Sequence, residues 1–279
     1  MTLSIVTVCL NAEKSIKNTV ESVLNQSFED YEYIIIDGGS CDNTLKILKG
    51  YKNRFQSKNI AFQIYSEKDS GIYNAMNKSL EKVQGKWVCF LNAGDVFYNR
   101  HTLKKMDFDT EKNDILYGDT VIKYPYPLYK KIPSSKISDI VNKMAFCHQS
   151  SFVTKELLVK YRFNESYFLA ADYDLFLKLY ENKNRFYKCN QIISVCDGTG
   201  PSSYDECRML SEYNEIRFRH SIIGNNEYRT NCDKVVRLKK KKRFFGEIKR
   251  LIPAKAMNWI HNTHWYWKLV KDGYKRDIF

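Results

Sequence analysis

Over the first 120 residues, short apolar runs alternate with single stretches of helical periodicity, and this alternation constrains the fold more than anything else in the chain. "LSIVTVCL" (3–10), "YEYIIID" (31–37), "IAFQIYS" (60–66), "KWVCFLN" (86–92) and "DILYGD" (114–119) read as strands. The first is a continuous apolar run with β-branched residues, the pattern of a strand covered on both faces. Ile16, Val20, Val23 and Leu24 then share one face of a helix. Leu45, Leu48 and Tyr51 suggest a shorter helix near Gly50, and Ile72, Met76, Leu80 and Val83 a third that Gly85 stops. Strands alternating with single helices at this spacing predict an α/β fold, a doubly wound and mostly parallel sheet.

Such sheets bind ligands beyond the carboxyl ends of their strands, where backbone amides and helix N-termini converge. The residues there are Asn11 and Glu13, Asp37 to Asp42, Asp69 to Gly71, and Asn92 to Asp95. Every one of these ends is polar and several carry carboxylates. No G-x-G-x-x-G follows the first strand, and no G-x-x-x-x-G-K-[ST] is present. A bound diphosphate is therefore not held by a glycine cradle alone, and a divalent metal on a carboxylate is the alternative holder.

Past residue 120 the regularity fades. A Pro/Tyr-rich loop (123–136) leads to "CHQSSFVTKELLVKY" (147–161), a strand turning into a helix. "LAADYDLFLKLYE" (169–181) is a helix with Asp172 and Asp174 in its first turn, where negative charge suits the helix dipole. Residues 185–198 read as two short strands, and Ser203 with Glu206 as a capping box for a helix to about Ile223.

At 279 residues and 43% hydrophobic, the chain can bury a full core. Its net charge is +13, of which +9 falls in the last 79 residues. The first 200 residues resemble an ordinary soluble domain and the remainder something that meets an anionic partner. Eight cysteines without a C-x-x-C pair fit a reducing cytosol better than a zinc site or a disulfide frame. The N-terminus carries no basic leader, and no segment approaches the ~20 apolar residues that span a bilayer.

Five stretches, "SIVTVCLNAEKSIKNTVESVLNQSF", "YIIIDGGSCDNT", "SEKDSGIYNAMNKSL", "GKWVCFLNAGD" and "ADYDLFLKL", in this order and spacing, resemble the family 2 glycosyltransferases. These are inverting enzymes of the GT-A fold, and the likeness over residues 3–200 is greatest to bacterial members that build cell-surface polysaccharide. The resemblance implies a nucleotide-sugar-binding half (1–119) and an acceptor and catalytic-base half (120–223), and the composition adds a basic, aromatic and helical C-terminal extension (224–279). It implies Thr7, Asn11, Glu13, Asp37, Asp69 and Gly71 at the nucleotide, with Asp37 accepting the base imide N–H. It further implies Asp95 on a Mg²⁺ or Mn²⁺ that bridges the phosphates, and Asp172 as the base that deprotonates the acceptor hydroxyl. Asn92, His148 and Asp174 are weaker candidates for contacts to the acceptor or donor sugar.

The residues alone leave other readings open. Asp37 and Asp42 also suit a strand end and a helix cap, Asp172 a first-turn charge, and His148 a structural histidine; Tyr73 and Met76 read as core. Asn92, Ala93 and Gly94 stand where family members show acidic-x-acidic, so only Asp95 keeps its carboxylate. A non-catalytic relative and a sugar nucleotidyltransferase are the alternatives to the transferase. The implied partners are a nucleotide-diphosphate sugar, probed first as a UDP-sugar, and a glycan or lipid-linked oligosaccharide. "KKKKRFF" with Trp259, Trp265 and Trp267 suits an anionic membrane surface, with no nucleic acid, which puts the chain in the cytoplasm at the inner face of the membrane.

Overall fold

The computed structural model describes residues 1–109, 112–124, 128–199 and 205–251, with side chains as far as Arg243. They fall into two compact units. One comprises Met1–Ile122 and Ile132–Asp197; the other comprises Lys123–Lys131 and the chain from Gly198 onward.

The first unit opens with β1 (Leu3–Cys9), α1 (Ile16–Leu24), β2 (Tyr31–Asp37), α2 (Thr44–Lys49), α3 (Lys52–Gln56), β3 (Ala61–Ser66), α4 (Ile72–Ser79), β4 (Trp87–Phe90) and the two-residue β5 (Val96–Phe97). There follow β6 (Ile115–Tyr124), β8 (Ser151–Thr154), α5 (Lys155–Tyr161), α6 (Ala171–Glu181) and β9 (Phe186–Asp197), while β7 (Leu128–Ile132) and the last two residues of β6 fall, apart from Ile132, in the second unit. The sheet order is β3-β2-β1-β4-β8-β6-β9-β5. The β3-β2-β1-β4 half is parallel, as the βαβ spacing predicts, with Cys9 level with Asp37 and Asp37 level with Ser66. Three polar strand ends therefore align on one edge. Beyond β4 the sheet turns antiparallel, because β8 enters between β4 and β6.

Every residue of β1 and β2 is buried, consistent with strands covered on both faces. The core joins Leu3, Ile5, Tyr33, Ile35, Trp87 and Cys89 to Ile16, Val20 and Val23 of α1. Gly85 enters β4 against the backbone of β1: a Cβ there would lie 2.5 Å from the Ser4 nitrogen and 2.6 Å from the Leu3 carbonyl carbon.

Two expectations change. Within residues 185–198 there is one continuous strand, β9 (Phe186–Asp197), and its ladder partner β5 is too short to register as an apolar run. The cap of the next helix, α7 (Glu206–Arg219), is Asp205, whose side chain accepts the Arg208 amide; Ser203 lies outside the described residues. In the second unit, α7 precedes α8 (Asn225–Leu251), which carries the lysine run, and Lys242 pairs with Glu206 at 2.9 Å. Trp259, Trp265 and Trp267 also lie outside the described residues. Among the described residues, no helix is long and apolar enough to cross a membrane.

Candidate active site

The strand-end edge is built first by two loops that hold each other. Asn11, at φ +49°, donates its amide to the Ser40 hydroxyl, and its side-chain oxygen accepts the Cys41 amide. Glu13 accepts the amide and side-chain N–H of Asn43, while Asp42 accepts the Glu13 amide. The Ala12 amide goes to the Thr44 hydroxyl. Asn11 and Glu13 thus lie at the expected strand end but spend these groups on the next loop.

Asp37 lies beneath that clip. Its Oδ2 accepts from the Gly39 amide at 3.2 Å, the Ser40 amide at 3.0 Å and the Ser66 hydroxyl at 2.6 Å; its Oδ1 accepts from the Ser40 hydroxyl. Burial alone would raise its pKa, but these hydrogen bonds together hold it below the usual carboxylate value. With its side chain buried and engaged, Asp37 organises the β2–α2 and β3–α4 turns. Thr7 departs further from expectation. It is 0% exposed and donates to the Leu91 carbonyl at 2.6 Å, with the Tyr33 hydroxyl at 2.9 Å, so it holds β1 to its neighbours and does not reach the edge.

Asp69 and Gly71 lie together in the turn between β3 and α4. Asp69 Oδ1 accepts the Gly71 amide at 3.1 Å, closing the turn that starts α4. Gly71 has φ +142°, and a Cβ there would meet nothing within 4 Å, so its backbone faces open space. Gly38 lies under the Asp69 carboxylate, at 2.5 Å from a would-be Cβ.

Asp95 is 6% exposed and its Oδ1 accepts the Asp197 amide at 2.9 Å. Burial raises its pKa to about 7, against the lowering effect of hydrogen bonds from that amide and from Gln149. Through that oxygen it acts as a brace between β5 and β9. A residue that sequence reasoning missed stands in front of it. The β5–β9 ladder pairs Val96 with Val195, so continuing that register sets Gly94 across from Asp197, whose side chain is exposed. A Cβ on Gly94 would lie 3.8 Å from Asp197 Oδ2. Nearby, Asn92 Oδ1 is buried without a hydrogen-bond partner. These are hard oxygen donors, of the kind Mg²⁺ or Mn²⁺ accepts. No group of three or more His, Cys, Asp or Glu able to hold a metal occurs among the described residues, so nucleotide oxygens and water would have to complete any coordination shell.

The second half contributes α6. Asp172 Oδ1 accepts the Tyr173 amide at 2.9 Å and the Tyr73 hydroxyl at 3.3 Å. Asp174 is buried and paired with Lys178 at 2.5 Å. His148 is 6% exposed, stacks on Phe90 with centroids 5.7 Å apart, and has a buried Nε2 without a hydrogen-bond partner. Burial lowers its pKa to about 4, so its ring is neutral at pH 7. Tyr73 and Asp197 were hidden for different reasons: Tyr73 sits on an apolar helix stripe, and Asp197 ends a strand whose partner is two residues long.

The comparisons agree with this fold. A Mycobacterium bovis "PGL/p-HBAD biosynthesis glycosyltransferase" is 27% identical over 183 residues, covering 64% of this chain and 70% of that protein. S. aureus TarS 1-349 in complex with UDP-GlcNAc has a similar fold, at TM-score 0.60 and 20% identity, over 77% of this chain and 66% of that one. The mannosyltransferase PcManGT from Pyrobaculum calidifontis, in complex with GDP-Man and Mn²⁺, matches at TM-score 0.61 and 15% identity, over 80% and 65%. The family model described as glycosyl transferase family 2 matches residues 4–178, from the first strand through the helix that bears Asp172, and the chain belongs to that family.

Proposed function

We propose that this protein transfers a sugar from a nucleoside diphosphate sugar to a hydroxyl of a glycan or lipid-linked glycan, with inversion at the anomeric carbon. One observation carries the reading. Asp172, from the second half of the fold, meets Tyr73, two residues beyond the Asp69–Gly71 turn that the nucleotide would face. A carboxylate in that position can take the acceptor proton as the hydroxyl oxygen attacks opposite the leaving group.

The open backbone at Gly71 gives the diphosphate a close approach, and the carboxylate of Asp69 lies beside it. A bound Mg²⁺ or Mn²⁺ supplies charge neutralisation for the departing nucleoside diphosphate. Asp197 and Asn92 are the residues suited to hold it, with Asp95 bracing Asp197 from behind. Uridine is the first nucleotide to test, in keeping with the UDP-GlcNAc complex of TarS, and guanosine the second, in keeping with the GDP-Man complex of PcManGT.

A non-catalytic nucleotide-sugar binder is the second reading, favoured by the lack of carboxylates at positions 92 and 94. A thermal-shift panel of UDP, GDP, dTDP and CDP, with and without Mn²⁺, tests nucleotide and metal together. A ligand at a hundredfold its Kd adds about 2.7 kcal/mol. Binding without any transfer or hydrolysis of the matching nucleotide sugar would leave the second reading standing.

The basic, aromatic segment 224–279 would bring the enzyme to a lipid-linked acceptor at an anionic membrane, each Lys or Arg near that surface contributing about 1 kcal/mol. Flotation with anionic vesicles checks this role. Deletion of residues 237–279 should abolish co-flotation, and undiminished binding would sink it.

A further inference from the structure

We infer that Tyr73 is the positioning residue of the catalytic carboxylate, and that α4 sets where Asp172 stands. The inference rests on the proposed role of Asp172 as base. Tyr73 and Asp172 are 99 residues apart in sequence, yet the Tyr73 hydroxyl donates to Asp172 Oδ1 at 3.3 Å. That is long for a hydroxyl–carboxylate hydrogen bond, and such bonds tighten when substrate enters.

The bond is one of five that join α4 to α6 and the segment leading into it. One turn beyond Tyr73, the Asn77 side chain donates to the Phe163 carbonyl and accepts the Phe163 amide, each at 2.9 Å. Asn77 and Asn74 also donate to the two oxygens of Glu165, at 2.8 and 2.9 Å. The Tyr73 ring stacks on Phe163 at 5.6 Å, and Phe163 meets Phe90 edge-on at 5.5 Å. Residues 73, 74 and 77 recur at helical spacing, so one face of α4 grips Phe163, Glu165 and Asp172 together.

The same helix begins at Gly71, where the diphosphate is expected to lie. A single rigid element would therefore fix the distance between leaving group and base. This is the geometric requirement of an in-line displacement, in which small misplacements cost large factors in rate. The hydroxyl also stabilises the ionised carboxylate, since a hydrogen bond to the charged form lowers its pKa.

The test uses the full chain with carbon-13-labelled aspartate. The Asp172 carboxyl signal is identified by its loss in Asp172→Asn. Tyr73→Phe keeps the ring on Phe163 and removes only the hydroxyl, and the expected result is an Asp172 titration midpoint raised above that of the wild type. Phe163→Leu is the packing control: it should lower the melting temperature while moving the midpoint less than Tyr73→Phe does. In parallel, UDP release from UDP-glucose, UDP-galactose and UDP-N-acetylglucosamine is followed for each variant. An unchanged midpoint in Tyr73→Phe overturns the inference while leaving the base assignment intact. A shifted midpoint with undiminished UDP release in Asp172→Asn overturns the base assignment, and with it any catalytic meaning of the pair.

Discussion

Gly94 lies across the β5–β9 ladder from Asp197, so that the carboxylate of one strand covers the bare Cα of the other. A Cβ at position 94 would come within 3.7 Å of Asp197 Cβ, and the glycine holds φ +106°, a conformation that L side chains rarely adopt. An acidic residue is thereby present at this point of the edge, supplied from β9 instead of from the motif that opens β5.

The two neighbouring carboxylates should separate cleanly on mutation. Asp197→Ala is expected to weaken the Mn²⁺ dependence of UDP binding at least tenfold, with little change in melting temperature. Asp95→Ala should instead cost about 2 kcal/mol of stability, because it leaves the Asp197 amide without its acceptor. Calorimetric titration of UDP with and without Mn²⁺, beside urea unfolding, checks both. Equal effects of the two variants on metal dependence would return Asp95 to the metal.

Gly38→Ala tests the place of Asp69 without touching it. The new methyl would arrive 2.5 Å from Asp69 Oδ2 and push the carboxylate from its turn. UDP affinity should fall roughly tenfold or more, equivalent to about 1.4 kcal/mol. If UDP binds Gly38→Ala as tightly as wild type, Asp69 does not read the nucleotide.

His148 gives a pH signature in stability. Its folded pKa is about 4 against an ordinary 6.5, so the unfolded chain binds the extra proton and stability falls as pH drops from 6.5 towards 4. The full loss amounts to about 3 kcal/mol. His148→Phe should flatten that part of the stability curve in urea melts between pH 4 and 7. A slope identical to wild type would show that His148 titrates normally.

Asp37→Ala should destabilise by about 3 kcal/mol, since it strands hydroxyl and amide donors under the edge. The Asp37 carboxylate has a lowered folded pKa, so its stabilisation is present above the unfolded value near 3.9 and is lost as pH falls below it. Chemical denaturation at pH 7 and pH 3 measures both. A loss of nucleotide affinity at unchanged stability would instead give Asp37 a direct contact with the base.

The parallel half of the sheet was legible because its strands are apolar throughout and its helices periodic, signals that lie within single segments. The antiparallel half was not, since the insertion of β8 between β4 and β6 depends on pairing between residues far apart. The same divide runs through the site. Asp69, Gly71 and Asp172 lie in short motifs carried by single segments, whereas Asp197 acquires its place only through the ladder to β5. Thr7 misled for a local reason: β1 runs two residues past it, to Cys9, before the edge is reached. Tyr73 looked like core because its ring is core; only its hydroxyl does something else.

The clip between the β1–α1 and β2–α2 loops bears on how such enzymes can be re-engineered. Each loop closes on groups that the other supplies, Asn11 with Ser40 and Cys41, Glu13 with Asp42 and Asn43. A loop grafted alone from a relative would arrive without its counterpart and leave these partners unmatched. The two loops therefore form one exchangeable unit, and donor preference in this chain should be transplantable only when both are moved together.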